Sequence, residues 1–373
     1  MKIGIVTPTF YPYPGGISEY VYHTYFELRK RGHEVKIITT FFGDGLTEFE
    51  ENIYRVGRSI PILSNGSIGR VAFSLQLPKK IKRILDAERF DLLHIHEPLV
   101  PTLCLISLRH SRTVNIGTFH TFAEFSLGYF IFRPFLRRYN KKLHGRIAVS
   151  ESARNFVDRY FGGEYRIIPN GIDIDRFNRV GKIKKFDDGK LNILFVGRLE
   201  PRKGVKYLLK AFPLIKKKLP NSRLIIVGSG PLAGYYRQFV PRAFEEDIWF
   251  EGLVTKEDLP SYYSTCDVFC SPATGKESFG IVLLEAMASG KAIVASDIEG
   301  YRHVVTHGQE GLLVKPRDSR AIADSIVEVL SNEPLRRMLE ENGKRKARQY
   351  SWKNITSRII NFYHDKMKVA SVH

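Results

Sequence analysis

The segment GRLEPRKG at Gly197–Gly204 carries two cations that could bind a diphosphate. Arg198 and Lys203 lie in one loop directly after a predicted strand at Asn192–Val196, and ligands of open α/β sheets bind beyond such strand ends. Arginine offers a planar fork of donors and lysine a point charge, and both complement phosphate oxygens. The alternative is solvated surface charge, but the flanking glycines favour an anion site.

The segment ESFGIVLLE places two carboxylates, Glu277 and Glu285, in an apolar sequence. We predict that Glu277 and Ser278 stand at the start of a helix, whose free backbone amides attract anions. Glu285 follows just over two turns later and falls on roughly the same face, partly buried. A buried carboxylate needs partners, so it binds either the cis-diol of a ribose or an internal cation.

Two patterns in the first half of the chain could face the same ligand. Gly15 and Gly16, in the sequence PGG, follow the first predicted strand and would let backbone amides approach a phosphate closely. The other reading of this pair is a tight turn. His120, in the sequence GTFHT, ends another predicted strand, and a histidine there is either structural or catalytic.

The elements that position these residues alternate between strand and helix. Lys2–Thr7, a helix from about Ser18 and Glu34–Thr40 form a βαβ unit. Further strands are predicted at Leu92–Ile95, Val114–Thr118, Arg146–Val149, Arg166–Ile168, Asn192–Val196, Arg223–Val227, Ile248–Glu251, Val268–Cys270, Ala292–Ser296 and Gly311–Val314. This alternation predicts two doubly wound parallel sheets. The polar run Gly181–Lys190 is the predicted linker, so the domains are 1–180 and 181–350, followed by a terminal helix over 351–373.

Two further patterns have structural readings that we prefer. Asp173-Ile174-Asp175 has the form of a metal-binding DxD sequence but follows the turn Pro169-Asn170-Gly171. His94-x-His96-Glu97 could bind a metal, since alternate strand residues share a face. It offers no clear third ligand, so we predict that these histidines are packed and hydrogen-bonded and that the protein holds no metal.

The composition describes a globular protein with a large excess of positive charge. The 373 residues carry 58 basic and 39 acidic side chains, a net charge of +19. Such an excess suits an anionic membrane, a nucleic acid or phosphorylated substrates. No apolar run is long enough to span a bilayer, and the N-terminus lacks the features of a signal peptide. Three scattered cysteines are expected to be reduced core residues, and we expect a cytoplasmic protein.

In combination these motifs resemble the retaining GT-B glycosyltransferases of family 4. GRLEPRKG, VGSGP at Val227–Pro231 and the E-x7-E segment occur in the family's order, with PGG and FHT upstream. The resemblance implies two Rossmann-like domains that face each other across a cleft, with a C-terminal helix packing back on the N-terminal domain. The pattern is most similar to that of phosphatidylinositol α-mannosyltransferases, through LHIHEP, FHT, IPNG, EPRKG and SFGIVLLEAMASG.

The resemblance also implies roles for individual residues in a nucleotide-sugar transfer. Gly15 and Gly16 would donate amides to the donor diphosphate, and Arg198 and Lys203 would neutralise it as it leaves. Glu285 would hold the ribose hydroxyls. The remaining contacts to the transferred sugar and distal phosphate would come from His120, Glu277, Ser278, Phe279, Gly280 and Ile281. No cofactor is implied, and GDP-mannose is the donor that the similarity suggests.

The acceptor side depends on a basic helix and on two departures from the family pattern. Leu75–Leu85 alternates apolar residues with Lys79, Lys80, Lys82 and Arg83, as in the membrane-docking helix of those enzymes. Residues 125–146 add aromatic and basic side chains, and an ordinary amphipathic core helix is the alternative for both segments. Thr9 and Ser18 stand where those enzymes carry a tyrosine and a glutamine near the inositol. We therefore expect an enzyme peripheral to the inner face of the cell membrane, with a lipid or glycolipid acceptor.

Three other functions were considered, and each is either disfavoured by the sequence or can be distinguished by a simple test. One rival is transfer to a soluble sugar or to a lipid-linked oligosaccharide, and absence of liposome binding would favour the soluble sugar. A nucleic-acid-binding protein would account for the net charge, but the sequence has none of the common binding motifs. An NAD-dependent dehydrogenase is disfavoured because PGG lacks a third glycine and no acidic residue closes Glu34–Thr40.

Overall fold

The computed structural model describes residues 1–370 apart from positions 14, 42–49, 65–66, 75, 124, 179, 276 and 278. These residues form two structural units. Unit 1 consists of Met1–Gly171 and Trp352–His373, and unit 2 of Ile172–Ser351. The first boundary thus lies at Gly171, not at residue 180 as predicted. Ile172 and Phe177 belong to the buried core of unit 2, which is why the chain changes unit before the polar run.

Unit 1 is built on a sheet whose strands are mostly parallel. In chain order its elements are β1 (Lys2–Val6), α1 (Gly16–Lys30), β2 (Glu34–Phe41), β3 (Ile53–Ser64), β4 (Ser67–Phe73), α2 (Leu77–Glu88), β5 (Leu92–His96), α3 (Leu103–His110), β6 (Val114–Phe119), α4 (Leu127–Ile131), α5 (Arg133–Asn140), β7 (Gly145–Ala148), α6 (Glu151–Phe161) and β8 (Arg166–Ile167). Within the described residues the strand order is β4-β3-β2-β1-β5-β6-β7-β8, and only β3 and β4 pair antiparallel. This β3–β4 pair was not predicted from the sequence.

Unit 2 repeats the architecture with a second parallel sheet. Its elements are α7 (Ile174–Asn178), β9 (Leu191–Val196), α8 (Val205–Lys218), β10 (Ser222–Val227), α9 (Ala233–Arg237), β11 (Ile248–Gly252), α10 (Leu259–Thr265), β12 (Val268–Ser271), α11 (Ile281–Ala288), β13 (Ala292–Ser296), α12 (Glu299–Arg302), β14 (Gly311–Val314), α13 (Ser319–Ser331) and α14 (Glu333–Gln349). The strand order over the described part of the unit is β11-β10-β9-β12-β13-β14. Apolar runs such as LNILFV are buried on both faces, as parallel strands covered by helices require.

The last helix, α15 (Trp352–Ala370), returns to unit 1. It packs against α1 and β6, and its apolar face joins the core that includes β1. Trp352, Ile355, Ile359 and Tyr363 are all buried. The predicted return of the C-terminal helix to the N-terminal unit is therefore confirmed. Tyr350 and Ser351 separate α15 from α14, so α15 begins close to the start of the terminal helix predicted over 351–373.

Candidate active site

Five charged side chains of unit 2 alternate in sign along one continuous chain of ion pairs. Arg198 Nη1 lies 3.0 Å from Glu200 Oε1, and Arg202 Nε lies 3.0 Å from Glu200 Oε2. Arg202 Nη1 and Lys203 Nζ each lie 2.7 Å from the same atom, Glu277 Oε1. Three cations thus face two carboxylates, which leaves one net positive charge where the sequence predicts a diphosphate.

The two predicted cations, Arg198 and Lys203, are linked through Glu200, Arg202 and Glu277. Arg202, at the centre of this chain, was not among the predicted site residues. Arg198 is largely exposed, whereas Lys203 and Glu277 are largely buried. Arg202 stands between the two carboxylates and contacts both. The only sequence signal for Arg202 was its position inside the basic loop. The sequence does not indicate which cation of that loop pairs with Glu277.

Close packing of backbone holds this loop in place. Gly204 has a φ of +73°, and a Cβ there would lie 1.8 Å from the Pro272 carbonyl oxygen. Gly228 has a φ of +134°, and a Cβ there would lie 2.0 Å from the Gly197 carbonyl oxygen. The amide of Thr274 also donates to the Arg202 carbonyl at 2.8 Å. The loops after β9, β10 and β12 therefore form one compact platform under the charged side chains.

The predicted position of Glu277 on a helix is wrong. Helix α11 begins at Ile281, after Gly280 in the left-handed region at φ +80°, so Glu277 lies in the preceding loop. The N-cap residue Gly280 supplies no side-chain cap, and Phe279 is buried. The backbone at the start of α11 thus keeps the amide-rich character that favours an anion. Ser278, predicted to contribute here, lies outside the described residues.

Glu285 lies on α11 as predicted and is held by a tyrosine of α10. The Tyr263 hydroxyl donates to Glu285 Oε2 at 2.7 Å. Tyr263 is completely buried, and burial followed by the charge of Glu285 raises the pKa of its phenol well above the ordinary value. The phenol therefore stays protonated and acts as a fixed donor that orients the carboxylate.

In unit 1 the paired glycines stand at the start of α1. Gly15 is the N-cap, in an extended conformation and without a side-chain cap, and α1 begins at Gly16. A Cβ built on Gly16 would meet no atom within 4 Å. This space lies beside backbone amides at a helix N-terminus, which is the arrangement that binds anions.

His120 follows β6 and belongs to a cluster of histidines that neighbouring strands bring together. β5 and β6 pair with His96 beside Thr118, so the side chains at the ends of the two strands meet. His96 Nδ1 lies 2.8 Å from His120 Nε2. Burial lowers the pKa of His120 to about 3, so its imidazole is neutral near pH 7. A neutral ring in contact with another neutral ring can hydrogen-bond a hydroxyl without carrying charge.

A buried carboxylate fixes the loop that carries His120. Glu97 Oε1 accepts hydrogen bonds at 2.8 Å from the amides of His120 and Thr121 and from the Thr121 hydroxyl. Glu97 has a φ of +52°, a strained conformation for a residue with a side chain. The three hydrogen bonds offset that strain. In the sequence Glu97 was only a candidate metal ligand, and its role in fixing this loop was not predicted.

The preferred structural readings of two sequence patterns are confirmed. His94 lies within 2.6 Å of both the Thr118 hydroxyl and the Tyr363 hydroxyl, and His96 contacts His120. Asp173 Oδ1 accepts from the Arg176 amide at 3.2 Å, which caps the short helix α7. The cysteines at positions 104, 266 and 270 are buried, as predicted.

Comparison with known proteins covers both units. The description "Glycosyltransferase Family 4" matches residues 14–176, and "Glycosyl transferases group 1" matches residues 178–346. A phosphatidyl-myo-inositol mannosyltransferase from Mycobacterium leprae is 35% identical over 378 residues, which span 100% of each protein. The enzyme of the same name from Mycobacterium tuberculosis H37Rv is 36% identical over 382 residues, again across 100% of both.

This chain belongs to the family 4 glycosyltransferases. The fold agrees with that of solved structures: HepE from Anabaena in complex with UDP superposes with a TM-score of 0.77 at 20% identity, over 98% of this chain and 100% of that one. Sucrose-phosphate synthase from Thermosynechococcus elongatus gives a TM-score of 0.74 at 20% identity, over 99% of this chain and 100% of that one. Both units of this glycosyltransferase have the Rossmann-like GT-B architecture that the motifs predict.

The predicted acceptor residues of this glycosyltransferase differ in exposure. Ser18 is completely buried on α1, so the structure does not place it where it could contact an acceptor. Its hydroxyl has no hydrogen-bond partner within the described part of the chain. Thr9 is half-buried, and its carbonyl accepts from the Thr7 hydroxyl at 2.8 Å.

The basic helix of the glycosyltransferase is α2. Its exposed side carries the four predicted cations, Lys79, Lys80, Lys82 and Arg83. Leu77 and Ile81, on the opposite face, are buried in the core of unit 1. The helix therefore presents charge but little apolar surface. Among the described residues, no helix is long and apolar enough to cross a bilayer.

Proposed function

We propose that this glycosyltransferase moves mannose from GDP-mannose to a membrane lipid or glycolipid and retains the anomeric configuration. The observation that carries the proposal is the convergence of Arg202 and Lys203 on one oxygen of Glu277 in a loop with excess positive charge. The full-length similarity to enzymes named phosphatidyl-myo-inositol mannosyltransferases supports the choice of sugar and of a lipid acceptor.

The main barrier is charge separation as the bond between the sugar and the diphosphate breaks. Lys203 and Arg202 would stabilise the departing diphosphate, because fixed cations act most strongly where charge develops. Arg198, which is more exposed, would close over the diphosphate from the solvent side. The start of α11 and the amides at Gly15 and Gly16 would supply further donors.

The nucleoside end of the donor would be held by Glu285. Its carboxylate accepts from Tyr263 and can accept from the two hydroxyls of a ribose as well. Loss of such a charged hydrogen-bond acceptor in a partly buried site costs binding energy that solvent does not replace.

His120 would contact the transferred sugar as a hydrogen-bonding group. Its low pKa, about 3, makes it a weak base, so we propose that it orients a sugar hydroxyl and does not abstract a proton. His96 and Glu97 would keep the ring and its loop in one orientation.

No metal ion or cofactor enters the proposed reaction. In many transferases a divalent cation neutralises the diphosphate, and here Arg202 and Lys203 would supply that charge. The carboxylates that could bind a cation, Glu200 and Glu277, are already engaged by arginine and lysine side chains. The nucleotide sugar is thus the only small molecule that the donor site would need.

The acceptor would be reached at an anionic membrane surface, through the exposed cations of α2. We place the enzyme at the inner face of the cell membrane as a peripheral protein and propose no nucleic-acid partner. Thr9, close to the start of α1, is the remaining acceptor candidate, since Ser18 is buried.

The test is a transfer assay with labelled GDP-mannose, UDP-glucose or UDP-N-acetylglucosamine and vesicles that contain phosphatidylinositol. Mannolipid formed from GDP-mannose, at the same rate with and without EDTA, is the expected result. Transfer from a uridine nucleotide alone would overturn the donor. Transfer only to free sugars would overturn the lipid acceptor, and loss of activity with EDTA would overturn the metal-independent mechanism.

A further inference from the structure

A short stretch of unit 1 concentrates exposed apolar side chains. Six large residues within 125–135 have exposed fractions between 53 and 62%: Phe125, Leu127, Phe130, Ile131, Phe132 and Phe135. We call this set the apolar ridge. Other large apolar side chains that are exposed, such as Leu253 and Met338, are scattered along the chain. A contiguous apolar surface of this kind marks an interaction site more often than a chance exposure.

The apolar ridge is the outer face of a firmly packed segment. On the inner face, the ring of Tyr129 packs against those of Phe156, Tyr160 and Phe161. The Ser126 amide donates to the Tyr160 hydroxyl at 2.8 Å, and Arg133 Nε donates to the Tyr160 carbonyl at 2.7 Å. These contacts fix α4 and α5 on α6, so the ridge cannot turn inward without breaking them.

Within the segment 125–146 that carries the ridge, the charged side chains have a single sign. Residues 125–146 contain no aspartate or glutamate, while Arg137, Arg138 and Lys141 are exposed. A cavity of about 620 Å³ beside them is lined by Tyr139 and four cations, Arg109, Arg138, Lys141 and Lys142.

These cations extend toward the basic helix α2. Burial and then the positive charges of Arg109, Lys142 and Lys82 lower the pKa of His110, against the opposite effect of Asp86. Side chains of α2, of α3 and of the turn after α5 therefore lie close to one another. Helix α3 also packs against both α2 and α5.

We propose that the apolar ridge inserts into the interfacial layer of an anionic bilayer, while the cavity cations and α2 face the lipid phosphates. This inference rests on the proposed function in choosing a lipid surface. The pairing of an apolar face with lysine and arginine is what interfacial binding requires. A second copy of the chain is a poorer occupant, because a twofold contact would bring like cations together with no carboxylate in 125–146 to pair them.

The test measures partition of the full chain onto vesicles of equimolar phosphatidylglycerol and phosphatidylcholine by sedimentation. The variant carries Leu127→Gln, Phe130→Gln and Ile131→Gln, and the control carries Leu253→Gln and Met338→Gln in unit 2. We expect the ridge variant to lose roughly 100-fold in partition coefficient, because three inserted side chains are removed. The loss should persist at about 1 M salt, where surface charge is screened. The control should partition like the wild type.

A second variant tests insertion without removing apolar surface. Phe130→Trp in a Trp249→Phe background should show quenching by brominated lipids, and the background alone should not. Unchanged partition of the glutamine variant, or no quenching of the tryptophan introduced by Phe130→Trp, would overturn the proposal. A different pair of results would also overturn it. In that case the wild type would form a dimer in sedimentation velocity and not bind vesicles, and the glutamine variant would be a monomer. Binding of the nucleotide-sugar donor, measured by thermal shift, tests the proposed function independently of membrane insertion.

Discussion

Lys203 and Arg202 share one oxygen of Glu277, each at 2.7 Å. Arg202 also pairs with Glu200, and with Arg198 the chain of ion pairs holds three cations and two carboxylates, so an anionic ligand would gain from binding beside it. The arrangement also explains why adjacent cations on a short loop stay fixed: Glu277 draws them together from another loop of unit 2. In the proposed reaction, this arrangement would hold the cations ready for a diphosphate before any substrate arrives.

The first prediction concerns the lysine of this pair. Lys203→Ala should lower kcat/KM for mannosyl transfer by about 100- to 1000-fold, the usual cost of one preorganised donor to a developing anion. Steady-state kinetics with GDP-mannose measures the effect. Lys210→Ala, an exposed lysine on the following helix α8, is the matched control and should retain full activity. A Lys203→Ala enzyme within threefold of the wild type would remove this residue from the mechanism.

The second prediction compares the contributions of two neighbouring tyrosines, Tyr263 and Tyr262, to donor binding. Tyr263→Phe removes the hydroxyl that orients Glu285 and should weaken GDP-mannose binding roughly tenfold, as expected for one hydrogen bond to a charged group. Glu285→Ala should weaken it further without unfolding the protein. Titration calorimetry gives both dissociation constants.

Tyr262→Phe is the control for this pair. Its hydroxyl donates to Glu251 at 2.6 Å, whereas the Tyr263 hydroxyl donates to Glu285, so donor affinity should not change. Equal losses in the two tyrosine variants would indicate a general effect on α10, and unchanged binding by Glu285→Ala would exclude the ribose contact.

The parallel sheets were predictable because their strands are long apolar runs separated by helical periodicity. AIVAS is buried throughout and the central residues of LNILFV are buried, so their apolar composition was enough to locate them. The antiparallel pair β3–β4 was missed because Gly57 and Pro61 interrupt the pattern of β3. The dipeptide Asn65-Gly66 between the two runs is a common hairpin signal that could have indicated the pair.

The types of the charged residues in the site could be predicted from the sequence, but the ion pairs between them could not. Spacing identified Arg198, Lys203 and Glu277 as charged groups near strand ends, yet which cation meets which carboxylate depends on how three loops pack. Glu277 was expected at the start of the helix, but the left-handed Gly280 ends α11 short of it, and a helical pattern does not reveal such a backbone conformation. Likewise, Ser18 was expected to contact the acceptor, but it falls on the buried side of α1.

A third prediction tests the packing of the platform. Gly204→Ala would place a methyl group 1.8 Å from the Pro272 carbonyl oxygen at a φ of +73°, so the two loops must separate. We expect a loss of at least about 2 kcal/mol in the stability of unit 2 and of most donor binding. Gly234→Ala is the control, since a Cβ there meets no atom within 4 Å. A Gly204→Ala protein with wild-type stability and affinity would contradict the strain argument.

A fourth prediction concerns the pH dependence of unit 1. Burial lowers the pKa of His94 to about 3, below the value near 6.5 of an unfolded chain. Between these values the unfolded state binds more protons, so stability is complete above pH 6.5 and falls as pH drops toward 3. His94→Gln should reduce the slope of unfolding free energy against pH by about 1 kcal/mol per unit between pH 6.5 and 5.

Trp352 provides the signal for that measurement. In a Trp249→Phe background it is the sole tryptophan, and it lies in the core of unit 1 against Tyr20 and His23. Urea unfolding followed by its fluorescence at several pH values gives the slope. His364→Gln, an exposed position on the same helix α15, should leave the slope unchanged. An unaltered slope in His94→Gln would show that this buried ring does not control the pH dependence.

The last prediction concerns the exposed cations of α2. Replacing Lys79, Lys80, Lys82 and Arg83 together by serine should lower binding to anionic vesicles about 1000-fold at low salt, since each cation near such a surface contributes about 1 kcal/mol. Donor binding should be unaffected. The side chains are exposed, so the helix should remain folded on its buried Leu77 and Ile81.

A charge-matched variant shows whether vesicle binding depends on the position of the cations on α2 or on the net charge of the protein. Four exposed cations of unit 2 serve as the control when changed to serine: Lys210, Lys217, Lys218 and Arg320. Both variants lower the net charge of +19 by the same amount. If vesicle binding falls only in the α2 variant, the helix is a docking surface. Equal losses would mean that total charge alone draws the protein to lipid, and vesicle binding that survives the α2 changes would exclude the helix from docking.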